Sequence, residues 1–134
     1  MFTNTVSVRV RYAETDQMGY VYYGNYATYF EVARVESLRT LGVSYRELEA
    51  NGVMLPVLEY KSKYIRPAKY DDMLHIKVTI RQLPVVRIVF EYEVVNDLNE
   101  LITVADTTLV FINADTKKPC AAPPYFIDKI KKYF

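Results

Sequence analysis

The sequence predicts an α+β domain in which one long helix packs against an antiparallel sheet of roughly five strands. A single stretch from Asn25 to Leu41 has the apolar spacing of a helix, and much of the chain after residue 54 alternates apolar and polar residues. The breaks between the strand-like segments are short, which favours antiparallel neighbours because a parallel crossover needs a dozen or more residues. With 134 residues the chain is predicted to be one domain over 1–134.

The first strand is predicted from Val6 to Tyr12, where apolar and polar residues alternate. The long helix follows a polar loop, and Gly42 is expected to end it because glycine readily adopts the left-handed conformation of a helix C-cap. A short second helix is predicted to start at Ser44 and end at Gly52. Ser44 is followed three residues later by Glu47, the spacing of a capping box.

Four further strands are predicted in the second half of the chain. Their ranges are Met54 to Ile65, Leu74 to Gln82, Val86 to Asn96, and Leu101 to Asn113. A last amphipathic segment from Tyr125 to Phe134 is predicted to form a helix or a tail. One helix against such a sheet leaves the sheet edges and outer face unused, so a homo-oligomer is expected.

Composition excludes several classes of function. The formal net charge is +1, with 17 basic and 16 acidic residues spread along the chain, so no broad positive face for nucleic acid is expected. No segment has the length and hydropathy of a membrane span and the N-terminus lacks an export signal, so the expected location is the cytoplasm. Cys120 is the only cysteine, and no metal site or cofactor is indicated.

The segment from Asp16 to Tyr26 is the best candidate for a reaction centre. It places the carboxylate of Asp16 in a loop that leads directly into the long helix, and Gly19 and Gly24 let the backbone turn tightly and approach a ligand. Free N–H groups at a helix start stabilise an oxyanion, while a nearby aspartate can act as nucleophile or general base. The alternative is that Asp16 merely caps a turn or the helix.

Several motifs, taken together, resemble a known family. They are Arg11-Tyr12-Ala13-Glu14-Thr15-Asp16, Tyr22-Tyr23-Gly24-Asn25-Tyr26, Phe30-Glu31-Val32-Ala33-Arg34, and the segment from Tyr64 to Asp72. In this order and spacing they are similar to the hotdog-fold acyl-CoA thioesterases of the 4-hydroxybenzoyl-CoA thioesterase type, over nearly the whole chain. The resemblance implies a central helix wrapped by a five-stranded antiparallel sheet. It also implies dimers formed by joining sheets edge to edge, often tetramers, with active sites at the dimer interface.

The resemblance implies hydrolysis of an acyl-CoA to a free acid and coenzyme A. Asp16 matches the loop aspartate that serves as nucleophile or as general base for water, and Tyr23 matches the position whose backbone N–H polarises the thioester carbonyl. Gly24, Asn25 and Tyr26 are predicted to contact substrate, with Asn25 also holding the turn by hydrogen bonds to local backbone. Many bacterial members, especially the Tol–Pal-associated branch, have histidine at the position of Tyr23, whereas the hydroxybenzoyl branch can have tyrosine.

Coenzyme A carries phosphates, so its nucleotide end needs exposed basic residues near the mouth of the site. Candidates are Arg66, Lys69, Arg87, Lys117 and Lys118. Arg66 and Arg87 are preferred among them because of their place in the resemblance.

Glu31 is a rival carboxylate, because another hotdog thioesterase lineage uses an acidic residue on the central helix, but an ion pair with Arg34 is the expected role here. His75, the only histidine, lies on the polar face of an alternating strand and is not expected to be catalytic. This weakens the related interpretation of a hotdog dehydratase, which would need a histidine close to the helix. Two alternatives stay open: the same hydrolysis on acyl carrier protein, and a non-catalytic acyl-CoA-binding protein.

Overall fold

A five-stranded antiparallel sheet packs against one long helix in the computed structural model, which describes residues 1–134. The strands are β1 (Phe2–Arg9), β2 (Val53–Met54), β3 (Val57–Tyr64), β4 (Met73–Ile80), β5 (Arg87–Val95), β6 (Leu101–Val110) and β7 (Ile112–Asn113). The helices are α1 (Asn25–Thr40), α2 (Tyr45–Ala50) and α3 (Pro124–Ile130), with short 3-10 turns at Tyr12–Glu14 and Lys131–Tyr133. The sheet order is β1-β4-β5-β6-β3, and β2 and β7 form a separate two-stranded ribbon.

The helix α1 packs against the sheet with one face, which is mostly apolar and includes small side chains. Phe30 and Leu38 are fully buried, and the small residues Ala33 and Ser37 on the same face let the sheet approach closely. After the helix ends at Thr40, Gly42 adopts a φ of +80°, and its N–H donates to the carbonyl of Arg39 at 2.9 Å. The predicted helix is therefore confirmed to within one residue.

The first predicted strand was placed too late in the sequence. The strand β1 ends at Arg9, and the chain turns into the 3-10 helix at Tyr12–Glu14, where Glu14 accepts a hydrogen bond from the backbone N–H of Arg11 at 2.8 Å. This side-chain contact closes a local turn where the alternating pattern predicted extended chain. At its other end, β1 extends back to Phe2, which pairs with Ile80.

Two other predicted strands are each divided into a long and a short strand. The range Met54 to Ile65 splits into β2 and β3 around Pro56, which has no N–H to donate to a sheet. The range Leu101 to Asn113 splits into β6 and β7 at Phe111, whose N–H donates to the carbonyl of Val86. The strands β4 and β5 agree with their predicted ranges to within two residues, and α2 begins as predicted, with Ser44 Oγ accepting the N–H of Glu47 at 3.1 Å.

The strand β3 forms one edge of the sheet and pairs only with β6. Most of its residues are exposed, including Val57, Leu58, Tyr60 and Tyr64. None of the helices combines the length and hydropathy needed to cross a bilayer.

Candidate active site

The loop that carries Asp16 is held in a tight turn by its own backbone. The N–H of Asp16 donates to the carbonyl of Tyr20 at 2.8 Å, and the N–H of Gly19 donates to the carbonyl of Asp16 at 2.9 Å. Gly19 has a φ of +78°, a conformation that residues with a Cβ adopt at a cost. The loop is joined to its surroundings by bridges from Thr15 to Val21 and from Tyr20 to Lys69.

The Asp16 carboxylate uses one oxygen for structure and leaves the other unbonded. Its Oδ1 accepts the N–H groups of Met18 at 2.9 Å and Tyr20 at 3.2 Å, whereas Oδ2 accepts no hydrogen bond from the chain. Asp16 is exposed. It therefore caps the turn, as the alternative interpretation expected, but this leaves one oxygen free for chemistry.

Glu14 is a structural residue of this site that sequence analysis missed. Its buried carboxylate accepts hydrogen bonds from the N–H and Nη2 of Arg11, both at 2.8 Å, and from the Tyr29 hydroxyl at 2.9 Å. Burial alone would raise the pKa of Glu14, but the hydrogen bonds from Arg11 and Tyr29 outweigh it, so the pKa lies below its ordinary value. Burial, then the hydrogen bond to Glu14, raises the pKa of Tyr29.

The backbone of Glu14 also fixes the start of α1. Its carbonyl accepts the N–H of Tyr22 at 2.9 Å and the side-chain Nδ2 of Asn25 at 2.8 Å. Asn25 thus bonds to backbone as expected, but its partner lies 11 residues earlier in the chain. The Asp16 loop and the helix start are therefore tied together through one residue.

Two backbone donors remain free at the start of α1. The N–H of Asn25 donates to the carbonyl of Tyr22, whereas the N–H groups of Tyr23 and Gly24 donate to no group of the chain. Gly24 has an ordinary helical φ of −63°, so its backbone conformation does not require glycine. A Cβ at position 24 would lie 2.8 Å from the half-exposed ring of Tyr22, so this ring would have to move to accept a larger residue.

A cleft of about 320 Å³ lies beside this junction and is called the Asp16 cleft below. Its lining consists of Asp16, Tyr20, Val21, Tyr23, Tyr26, Tyr64, Ile65, Arg66 and Pro67. Four of the predicted site residues, Asp16, Tyr23, Tyr26 and Arg66, are thereby brought together, with Gly24 and Asn25 next to them in the chain. Arg66 is exposed, and its Nη1 donates to the carbonyl of Leu101 at 3.1 Å.

Arg87 is not brought to this cleft within one chain. It pairs with Val110 at the start of β5, whereas Tyr64 on the cleft pairs through Thr103 with Val94 near the end of β5. Seven residues separate positions 87 and 94, which corresponds to roughly 23 Å of strand. Lys117 and Lys118 follow β7 and do not line the cleft either, so a role for these basic residues stays a prediction.

The expected ion pair between Glu31 and Arg34 is wrong. The Arg34 side chain turns inward instead, where its Nε donates to the Tyr45 hydroxyl at 3.1 Å and its Nη1 to the Tyr92 hydroxyl at 3.3 Å. Arg34 is only 7% exposed and forms no salt bridge. Position 34 follows the buried Ala33 on α1, so the Arg34 side chain lies close to the tyrosine hydroxyls. Glu31 is exposed to solvent, and Arg34 therefore bonds to the hydroxyls and not to the Glu31 carboxylate.

A second hollow of about 300 Å³, called the Arg34 groove below, lies between α1 and β3. It is lined by Ala27, Thr28, Phe30, Glu31, Arg34, Val57, Tyr60 and Thr107. The ring of Phe30 packs edge-on against Tyr60, with centroids 6.1 Å apart. The ring of Phe30 in this groove packs against the ring of Tyr26 in the Asp16 cleft, with centroids 6.2 Å apart.

His75 lies on the face of the sheet that points away from α1, since its neighbours Leu74 and Ile76 are the buried ones. Its ring nitrogens contact Ser7 Oγ and Asp97 Oδ1, both at 2.7 Å. The only histidine therefore has an acidic partner but no access to the helix start, which is where a dehydratase would need it.

Comparisons with known proteins identify the family. The family model described as the thioesterase-like superfamily matches residues 10–130. This chain belongs to the thioesterase-like superfamily. The acyl-CoA thioester hydrolase YbgC of Escherichia coli strain CFT073 is 34% identical over 125 residues, which covers 93% of this chain and 93% of that protein.

Solved structures of the superfamily have the same fold. The DHNA-CoA thioesterase of Staphylococcus aureus is 38% identical with a TM-score of 0.91, covering 99% of this chain and 89% of that one. Slr0204, a 1,4-dihydroxy-2-naphthoyl-CoA thioesterase from Synechocystis, is 25% identical with a TM-score of 0.90, covering 97% and 96%. The predicted family and hotdog fold are confirmed, and with them the prediction that the chain is an enzyme that hydrolyses thioesters.

Proposed function

We propose that this thioesterase hydrolyses an acyl-CoA to a free acid and coenzyme A, with Asp16 as general base or nucleophile and the N–H of Tyr23 as oxyanion donor. The observation that supports the proposal is the Asp16 cleft, which both residues line and in which each residue has a polar group without a partner in the chain. Asp16 has a free Oδ2, and Tyr23 has a backbone N–H without a partner.

The chemistry needs few groups because a thioester is an activated acyl group. In the general-base route, Asp16 takes a proton from water as the water oxygen attacks the carbonyl carbon, and the negative carbonyl oxygen accepts the N–H of Tyr23. The C–S bond then breaks and the thiolate of coenzyme A leaves. In the nucleophilic route, Oδ2 attacks first, and water hydrolyses the resulting mixed anhydride.

An aromatic acyl group suits the walls of this cleft. Rings of Tyr23, Tyr26 and Tyr64 surround it, with centroid separations of 5.3 Å between Tyr26 and Tyr64 and 6.5 Å between Tyr23 and Tyr64. The Staphylococcus and Synechocystis relatives are named for the thioester of a bicyclic aromatic acid. We therefore favour an aryl-CoA substrate, with Arg66 meeting a phosphate at the mouth of the cleft, and a homo-oligomer in the cytoplasm as the working form.

The decisive experiment compares two variants of Asp16. Asparagine keeps an oxygen that can accept the N–H groups of Met18 and Tyr20, whereas alanine removes the turn contacts and the carboxylate together. Asp16→Asn and Asp16→Ala should both lose nearly all release of coenzyme A thiol from benzoyl-CoA and 1,4-dihydroxy-2-naphthoyl-CoA. Asp97→Asn removes a carboxylate on the far face of the sheet and should retain full turnover.

Activity retained by Asp16→Asn but lost by Asp16→Ala would refute the chemical role and leave only the turn-capping role. Circular dichroism and gel filtration on each variant separate loss of chemistry from loss of fold. Parallel rates with the same acyl group on coenzyme A and on acyl carrier protein decide between those carriers. Binding without cleavage of either would favour a non-catalytic acyl-CoA-binding protein.

A further inference from the structure

Arg34 carries a buried positive charge that no charged group of the chain neutralises. The residue is 7% exposed, and its hydrogen-bond partners are the hydroxyls of Tyr45 and Tyr92. Burial raises the pKa of both tyrosines, so neither supplies a negative charge near neutral pH. Burial lowers the pKa of the Arg34 guanidinium, but the contacts with Tyr92 and Tyr45 outweigh burial, so the pKa lies above its ordinary value and Arg34 stays charged. A buried charge of this kind is costly unless an opposite charge meets it.

The Arg34 groove brings this charge together with apolar surface. Arg34 lines the groove, which has a volume of about 300 Å³. The tyrosine hydroxyls occupy its Nε and Nη1, whereas its Nη2 donates to no group of the chain. Ala27, Phe30 and Val57 line the same hollow and make its surface largely apolar. A guanidinium with a free donor beside apolar walls suits a ligand that has a carboxylate on an apolar body.

We propose that the Arg34 groove binds an aryl carboxylate, with the carboxylate on the Arg34 guanidinium and the ring against Phe30. One guanidinium matches the single negative charge of a carboxylate, whereas a phosphate brings more negative charge than one arginine neutralises. The apolar walls favour an aromatic body over a hydrated inorganic anion. An aryl carboxylate is also the free acid that an aryl-CoA releases on hydrolysis. Only this identification of the ligand as the product rests on the proposed function, since the carboxylate site itself rests on the contacts of Arg34.

Glu31 gives the proposal a test of sign. It lines the groove, is exposed to solvent and forms no salt bridge with Arg34. Its carboxylate repels an anion that enters the groove, so the removal of its charge should strengthen the binding of a carboxylate. A ligand that binds elsewhere on the protein would not respond in this way.

Isothermal titration calorimetry with 2-naphthoate at pH 7 tests the site without any thioester. The acid should bind, 2-naphthamide, which has the same ring without the charge, should bind at least about tenfold more weakly, and inorganic phosphate should not displace the acid. Arg34→Met should raise the dissociation constant roughly 10- to 100-fold, because a charge-assisted hydrogen bond is lost. Glu31→Gln should lower it by up to about fivefold. Arg39→Met is the matched control, because it removes one exposed positive charge from the same helix, and should change little.

A second variant guards against loss of fold in Arg34→Met, which also removes the partner of two tyrosine hydroxyls. Ala27→Leu fills the groove from an exposed helix position and leaves the Arg34 contacts in place, so it should also weaken binding, and circular dichroism checks both folds. Several results would overturn the proposal: no binding of 2-naphthoate, equal affinity for acid and amide, displacement by phosphate, wild-type affinity in Arg34→Met or Ala27→Leu, or weaker binding in Glu31→Gln. Failure of acyl-CoA hydrolysis, measured separately, would remove only the identification of the acid as product.

Discussion

Removing the charge of Glu14 should weaken the fold by a predictable amount. Glu14→Gln keeps an oxygen that can accept from Arg11 or Tyr29 but turns charge-assisted hydrogen bonds into neutral ones. Hydrogen bonds to charged groups contribute about 1.5–3 kcal/mol against 0.5–1.5 for neutral ones. The Arg11 side chain is 76% exposed, so solvent screens its share. The expected loss in the free energy of unfolding is therefore about 1–2 kcal/mol at pH 7.

The pH dependence of this loss identifies its cause. The folded pKa of Glu14 lies below its ordinary value of 4.5, because the hydrogen bonds from Arg11 and Tyr29 outweigh burial. The ionised carboxylate therefore stabilises the fold fully above pH 4.5, and this contribution is lost as the pH falls through the folded pKa. The difference between wild type and Glu14→Gln should shrink in the same window.

Urea denaturation of both proteins at pH 7 and at a series of values below 4.5 measures this difference. Tyr29→Phe is the matched control, because it removes one donor to Glu14 while leaving the buried ring in place. Its effect and that of Glu14→Gln should be less than additive, since both remove the same contact. Equal stability of wild type and Glu14→Gln at pH 7, or a difference that does not change with pH, would refute this account of the Glu14 contacts.

Two further changes should act on the cleft. Gly24→Ala should lower kcat/KM by about tenfold and the free energy of unfolding by about 1 kcal/mol, because the new Cβ must displace the Tyr22 ring next to the free N–H of Tyr23. Steady-state kinetics and urea denaturation measure these two effects. A variant with wild-type kcat/KM would contradict the reasoning. Arg66→Ala should raise KM for an acyl-CoA by roughly tenfold but leave an acyl-pantetheine thioester, which lacks the nucleotide phosphates, unchanged. An equal effect on both substrates would place Arg66 elsewhere than at those phosphates.

The long helix could be predicted because burial imposes a regular spacing on its apolar residues, and Gly42 has the conformation that favours glycine. The Asp16 loop could be predicted because its motif is contiguous in sequence. The Glu14 contacts could not, since Tyr29 is 15 residues away and an Arg–Glu pair three residues apart has the sequence of an ordinary surface pair. The prediction for Arg34 was wrong for a related reason. Its hydrogen-bond partners, Tyr45 and Tyr92, lie outside α1, so the spacing of charges along the helix does not reveal them.

The position of Arg87 depends on strand order and register, which a sequence pattern does not specify. Alternation shows which face a residue of β5 occupies, but only the pairing of Arg87 with Val110 shows which end of the sheet it reaches. The division of β2 from β3 at Pro56 had a local signal, the missing N–H of proline, that could have been used.

The two walls of the Asp16 cleft differ in how firmly they are built. Glu14 ties the Asp16 loop and the helix start together with hydrogen bonds of 2.8 to 2.9 Å. Tyr64 on the opposite wall makes ring contacts with Tyr23 and Tyr26, and its one hydrogen bond across the cleft, from its hydroxyl to the carbonyl of Tyr23, is 3.5 Å long. Changes in side-chain size at position 64 are therefore expected to reshape the Asp16 cleft while the hydrogen bonds that Glu14 makes to the helix start stay in place. If the proposed roles of Asp16 and Tyr23 hold, substitutions at position 64 would let this protein diverge toward new acyl groups without altering those two residues.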